Sequence, residues 1–356
     1  MADTSIDLTE LAQDWVPANR VLVLDDLRAR ASAQAIGIAE RLGVPFRRVP
    51  LSWNWLAHLA ALPPRGSLLG VAAAGRGRAP EPLAPRRLPA LPFALPGGSG
   101  PGLILSAGSR AAAVALWLKA RFGSRIVHCG RPLLHGRGFD LLVIGEHEPP
   151  PQWPNVLSVL GVPHRLSPLL LCQAEAAWSE RLAHLPRPRF ALLAGGPVRG
   201  TDMVPALAHT LGLQVAALAR RRGGSVLAAT GRRTGGEATE ALAAGLASTM
   251  HVLHRWGEPG ADPYAAFLAS ADMIVVTGDS IATLSEACAT AAAVFLALPE
   301  LGGARQRRLH ANLFAAGYAR PFADDVSPWS RRPLDEAGRV GTEIVRRFLL
   351  DFSRID

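Results

Sequence analysis

The stretch from Asp272 to Pro299, DMIVVTGDSIATLSEACATAAAVFLALP, narrows the possible folds more than any other part of the chain. Met273 to Val276 is a short apolar run bounded by turn formers, which suits a strand buried on both faces of a parallel sheet. The polar turn Thr277-Gly278-Asp279-Ser280 follows; Gly278 permits a tight bend, and Asp279 or Ser280 can cap a helix. That helix carries Ile281, Leu284 and Cys288 on one stripe, with Ser280, Thr283 and Glu286 on another. A second apolar run, Ala293 to Leu298, closes a strand–helix–strand unit. Parallel sheets collect ligands at the carboxyl ends of their strands, and a helix N-terminus there attracts anions, phosphates above all. Thr283-x-x-Glu286 also fits a capping box, which would make Glu286 structural.

A chain of 356 residues has room for two such domains, each with a core of its own. With 49% of residues apolar it is globular and not disordered. The formal charge of +9 invites anionic partners, but Lys119 is the only lysine, and abundant arginine and alanine also follow from a GC-rich genome. The arginines are dispersed, without a basic stripe carrying interleaved aromatics, so no nucleic-acid partner is expected. Cys129, Cys172 and Cys288 stand far apart in apolar settings, as buried thiols of a reducing compartment do. Neither CxxC nor HExxH occurs, and no metal site is expected. The acidic start MADTSIDLTELAQD is no secretory signal, and no run of about twenty apolar residues could span a bilayer. These features place the chain in the cytoplasm, with peripheral contact on the inner membrane left open.

The rest of the chain repeats the same rhythm. Strands are predicted at 20–25, 46–51, 103–106, 125–129, 139–144 and 155–160, with helices at 31–42, 110–121 and 165–182. Residues 1–19 read as a leader and the Pro/Gly/Arg-rich 75–102 as a long loop. Trp53, Trp55, Leu56 and Leu59 are either core or an exposed patch for lipid or a partner. Pro186-Arg187-Pro188-Arg189 breaks the pattern and is read as the boundary between domains 1–186 and 187–356. Beyond it come strands at 190–194, 225–230 and 250–254, helices at 204–211 and 238–248, the opening unit, and an amphipathic helix over 335–352. The terminal helix could pack back on the first domain. Alternation in both halves predicts an α/β protein: two Rossmann-like, doubly wound domains facing a central cleft.

Several segments together resemble one family: LDDLRARASAQAIGIAERLG, LILSAGSRAAAVALWL, FDLLVIGEHE, PNVLSVLGVPH, LLAGGP, TGRRT, DPYAAFLASADMIVVTGDSIATLSEA and PLDEAGRV. The chain resembles bacterial members of the family related to the plant "elongated mitochondria" fission protein. That family is similar in turn to glycosyltransferases of the GT-B fold, among them the peptidoglycan N-acetylglucosaminyltransferase. In the latter a glutamate on the second-domain helix holds the donor ribose, and Glu286 is the matching position. The chain departs from the family pattern around Arg30-Ala31-Ser32, at Ala291-Ala292-Ala293, at Gly231 and at Asp262.

The resemblance implies a nucleotide-diphosphate sugar as donor substrate and an envelope or lipid-linked acceptor. A diphosphate wants backbone amides and a planar guanidinium fork. Gly195 and Gly196 offer amides that approach closely; Arg232 and Arg233 offer the guanidinium, unless they are a surface pair. Thr234, Thr277, Asp279, Ser280 and Ser285 complete the donor side, with Glu286 accepting from ribose hydroxyls. Metal-dependent transferases often use Asp-x-Asp; this chain has none, so binding without metal and without any cofactor is expected. An inverting transfer needs a base on the acceptor. His147, with Glu146 beside it in Gly145-Glu146-His147-Glu148, is the candidate, the alternative being a hydrogen-bonded structural histidine. No GxGxxG with a downstream acid supports a nicotinamide enzyme. The plant relatives' role in recruiting a dynamin-like protein implies a second possibility, a non-catalytic adaptor on the same scaffold.

Overall fold

A computed structural model describes residues 21–26, 29–51, 101–132, 136–149, 151–200 and 202–348. The leader, the Trp53–Trp55 patch and nearly all of the 75–102 loop lie outside the described residues.

The first lobe is built from β1 (Val21–Asp25), α1 (Ala29–Leu42), β2 (Phe46–Pro50), β3 (Leu103–Ala107), α2 (Ser109–Phe122), β4 (Arg125–Cys129), β5 (Leu141–Gly145) and β6 (Val156–Val159). Its six strands form one parallel sheet in the order β2-β1-β3-β4-β5-β6. Strands such as VLVLD and LLVIG are buried at every position, which is why they read as continuous apolar runs and not as alternating ones.

The second lobe holds α3 (Pro168–Leu182), β7 (Arg189–Ala194), α4 (Pro205–Arg221), β8 (Ser225–Thr230), α5 (Gly236–Leu246), β9 (His251–His254), α6 (Tyr264–Ser270), β10 (Met273–Thr277), α7 (Ile281–Cys288), β11 (Ala293–Ala297), α8 (Ala304–Ala315) and β12 (Arg320–Pro321). Its sheet runs β9-β8-β7-β10-β11-β12, again parallel. The order reverses between β7 and β10, and a crevice opens at the carboxyl ends of strands at such a switch point. Two Rossmann-like lobes thus stand in the GT-B-like arrangement.

The lobes join earlier than residue 186. Leu166, Leu182 and Leu185 are already part of the second lobe's core, and Trp178 on α3 meets Phe267 on α6 edge to face. The crossing lies at 160–166, because α3 buries its apolar side against α6 and not against the first sheet. The chain returns through α9 (Glu336–Phe348), whose Val340 and Ile344 sit in the first lobe's core beside Ile38 and Val127. The two crossings are tied together: the Leu160 amide donates to Glu336 Oε1 at 2.6 Å, and the Val162 amide to Ser285 Oγ at 3.0 Å.

Three helices differ from the sequence reading. The helix expected over 204–211 runs on to Arg221, since Gly212 packs against Gly245 of α5 and lets the two helices touch. The 12-residue α8 and the short α6 were not foreseen. Among the described residues no helix is long and apolar enough to cross a membrane.

Candidate functional site

The strand–turn–helix that opens the sequence argument sits at the switch point. Ser280 is the N-cap of α7, accepting from the Thr283 amide at 3.2 Å and from the Thr283 hydroxyl at 2.8 Å. Such a cap stabilises a helix by about 1 kcal/mol. It also excludes the Thr283–Glu286 capping box, because Thr283 lies inside the helix. Leu284 and Cys288 turn into the core with no exposure, while Ser280 and Thr283 line the crevice.

A cavity of about 420 Å³ opens there, a size suited to a small organic ligand. Its walls come from the ends of β7, β8 and β10, from Tyr264 on α6 and Thr283 on α7, and from one first-lobe side chain, Arg30. Three turns are laced into one network beneath it. The Gly195 amide donates to Thr277 Oγ1 at 2.8 Å, and the Thr277 hydroxyl donates to Asp279 Oδ1 at 2.7 Å. Asp279 Oδ2 accepts from Arg233 Nη2, and Arg233 Nε donates to the Gly196 carbonyl at 3.2 Å. Glycine is required at both turn positions: a Cβ on Gly195 would lie 2.2 Å from an Asp279 oxygen, and one on Gly196 would lie 1.8 Å from the Arg233 carbonyl.

The structure therefore brings together Gly195, Arg232, Arg233, Thr277, Asp279 and Ser280 around one cavity. It alters the roles of several. The Gly195 amide is spent on Thr277 and does not face a ligand. Gly196 stands behind Arg233. Thr234 is fully buried; its hydroxyl donates to the Ala194 carbonyl at 2.8 Å and accepts from the Gly231 amide at 3.0 Å, holding the turn. Ser285 is not a ligand-facing group: its hydroxyl donates to the Ile281 carbonyl and accepts from Val162 across the hinge.

Glu286 stands behind the wall and does not line the cavity. Its Oε2 accepts from the Tyr264 hydroxyl at 2.7 Å, and burial pushes its pKa up, against the opposing pull of Tyr264 and of the Arg30 charge. Tyr264 has its own pKa raised, by burial first and by Glu286 second. His147 is not at the cavity either. Its ring covers Gly145, it is 2% exposed, and burial together with Arg305 lowers its pKa to about 4. Glu146 is exposed beside it, while Glu148 pairs with Arg305 of the other lobe. Buried in that way, the ring stands away from the cavity.

Three guanidinium groups meet one carboxylate in the cavity wall. Asp279 is only 3% exposed and already paired with Arg233, so Arg30, Arg232 and the N-terminus of α7 remain to attract an anion. Among the described residues no group of three or more His, Cys, Asp or Glu side chains could hold a metal ion.

A sequence profile described as "Mitochondrial fission ELM1" matches residues 31–348. The chain belongs to this family. Mitochondrial fission protein ELM1 of Arabidopsis thaliana is 25% identical over 280 residues, which cover 69% of this chain and 64% of that protein. The chain thus spans less than two thirds of the plant relative's length. Among solved structures, UDP-GlcNAc 2-epimerase from Methanocaldococcus jannaschii is similar with a TM-score of 0.48 at 12% identity, over 92% of this chain and 99% of that one. MurG of Acinetobacter baumannii is similar with a TM-score of 0.42 at 14% identity, over 93% of this chain and 92% of that one. The span matched to the ELM1 family contains every wall residue of the cavity except Arg30, which falls one position before it.

Arg30, Tyr264 and Thr283 are cavity residues that motif reading does not select. Thr283 lies on the polar stripe already read in the sequence, and the other two carry signals of their own. Arg30 puts a cation in the first turn of α1, against the helix dipole, a local mismatch of the kind that marks function. Tyr264 is one of only two tyrosines, beside a proline at a helix start.

Proposed function

We propose that the chain binds a nucleotide-diphosphate sugar in this cavity and acts as a GT-B-type glycosyltransferase toward an envelope or lipid-linked acceptor approaching from the first lobe. The observation that carries the reading is a cationic cavity at the β7–β10 switch point, with its single carboxylate neutralised by Arg233. A diphosphate would sit between Arg232 and the N-terminus of α7, its ribose near Tyr264 and Thr283. In this reading guanidinium groups stabilise the leaving-group charge, without metal or cofactor. A neutral cavity wall would give that charge no partner.

A non-catalytic adaptor is the second reading. It is favoured by the burial of His147, which leaves the acceptor without that base, and by the relationship to a fission protein. Contact with a membrane surface belongs to this reading as a proposal only.

The test is calorimetry with UDP-, GDP- and ADP-sugars and a CMP-sugar, with and without EDTA, followed by product analysis over hours. One diphosphate sugar should bind equally with EDTA present, and Arg232→Gln should weaken it about tenfold, as expected for a charge-assisted contact. A strict Mg²⁺ or Mn²⁺ requirement would count against the metal-free part. Binding without release or transfer of the sugar leaves the adaptor. No binding by any donor ends the nucleotide-sugar reading.

A further inference from the structure

The cavity belongs to the second lobe in all but one of its walls. Arg30 comes from the first turn of α1, and its side chain is exposed. Its charge acts on Glu286, which stands behind Tyr264. Arg232 is exposed on the second lobe's side, and Arg233 is held by Asp279. Arg30 and Arg232 bring two cations from different lobes to one cavity whose wall carboxylate, Asp279, is already paired with Arg233, and like charges resist approach. An orthophosphate can satisfy one guanidinium fork fully. Two linked phosphates can satisfy two forks from different lobes, each bidentately.

We infer that Arg30 is a first-lobe ligand for the second phosphate of a diphosphate, so that the site selects diphosphate over monophosphate by bridging its lobes. The inference rests on the nucleotide reading for the base and sugar, but not for the phosphates. It does not require the reaction. Away from the cavity the lobes are already tied through the crossings, by Leu160 to Glu336, Val162 to Ser285, Arg41 to Asp335 and the Leu166 carbonyl, and Arg165 to Glu40, and by Arg305 to Glu148. Within the cavity wall Arg30 is the side chain that a ligand can tie to the second lobe.

Binding is measured by calorimetry for orthophosphate, pyrophosphate, and the mono- and diphosphates of uridine, guanosine and adenosine. Compaction is followed by small-angle scattering. Wild-type protein should prefer pyrophosphate to orthophosphate by more than about tenfold, the worth of one extra charge-assisted fork, and should contract on binding it. Arg30→Gln should lose about tenfold for diphosphates, stay within about twofold for monophosphates, and no longer contract. Arg308→Gln, an exposed arginine away from the cavity, controls for net charge. Equal loss for mono- and diphosphates in Arg30→Gln, or the same loss in Arg308→Gln, overturns the inference. So does unchanged diphosphate binding in Arg30→Gln. If pyrophosphate binds and contracts the protein in an Arg30-dependent way but no nucleotide improves on it, the bridge stands and the nucleotide reading falls. If nucleoside diphosphates bind and Arg232→Gln alone weakens them, the reading stands and the bridge falls. No binding of any phosphate ends both.

Discussion

The two lobes repeat one architecture, a six-stranded parallel sheet with polar turns at the carboxyl ends of its strands, and the polar cavity opens at that edge of the second. The difference lies in what stands over a glycine. In the second lobe Gly195 makes room for the Asp279 carboxylate, which is fixed by Thr277 and Arg233 and leaves space above. In the first lobe Gly145 makes room for the ring of His147, which fills its own crevice. The end of β1 is likewise occupied: Asp25 accepts from Ser32 and pairs with Arg48 at 2.5 Å. Two parallel sheets of like architecture, which differ in the order of their first strands, thus present one open cavity and one filled crevice, with different side chains standing at the strand ends.

Acid should separate the lobes most widely. His128 in the first lobe has its pKa lowered to about 3, and His147 and the hinge residue His164 have theirs lowered to about 4, all mainly by burial. Unfolded, these histidines bind protons near pH 6.5, so below that value the unfolded chain takes up more protons than the folded one. The stability they confer is complete above pH 6.5 and is lost as the pH falls toward 4, on the order of 2–3 kcal/mol per histidine. Glu286 acts in the opposite sense, because its raised pKa makes the folded second lobe hold a proton more tightly. Hydrogen exchange at pH 7, 5.5 and 4.5 should show protection falling first in β3–β5 and α2, and later around β10 and α7, where Glu286 offsets the lowered pKa of the buried His310 on the Gly278 carbonyl. Simultaneous loss in both lobes would erase the contrast.

Gly195→Val attacks the comparison directly, and it comes next in size. Its Cβ would lie 2.2 Å from Asp279 Oδ1, forcing apart the Thr277–Asp279–Arg233 network. Diphosphate binding should fall more than about 100-fold, or about 2.7 kcal/mol. Gly145→Ala is the partner experiment, because its Cβ would lie 2.1 Å from the His147 ring. It should cost about 1–3 kcal/mol of stability through overpacking, while folded protein binds diphosphate within about fivefold of wild type. Equal loss of binding in both variants would mean that the first-lobe seam is part of the site.

Much of this was legible beforehand because burial on both faces writes itself into sequence as apolar runs. VLVLD, FALLA and MIVVT needed no context, and the turns after them followed from their polar residues and glycines. Six of the site residues expected from sequence converge on the cavity for the same reason: strand ends of one parallel sheet meet at one edge. What was not legible depends on orientation across long sequence separations. No spacing tells that the Ser285 hydroxyl turns to Val162, or that Arg30 crosses to a cavity more than 160 residues away along the chain. A strand-end histidine such as His147 reads the same in sequence whether it points outward or folds back on its own glycine, as it does here.

The smallest effect sharpens the donor side of the comparison, where the Tyr264–Glu286 pair replaces a direct carboxylate contact. Tyr264 lines the cavity, whereas Glu286 touches it only through the 2.7 Å hydrogen bond from the Tyr264 hydroxyl. Glu286→Gln keeps an oxygen for that donor and should leave nucleotide binding within about twofold. Glu286→Ala removes it, and with Tyr264→Phe should cost about fivefold, roughly 1 kcal/mol. Because both act through one hydroxyl, the double variant should be no worse than either alone, a coupling comparable to the single effects. A 2′-deoxynucleotide should lose affinity in wild type and lose none further in Tyr264→Phe. If Glu286→Gln instead costs tenfold and the double variant is additive, the carboxylate reaches the ribose itself, and the Tyr264 wall must swing aside when the ligand enters.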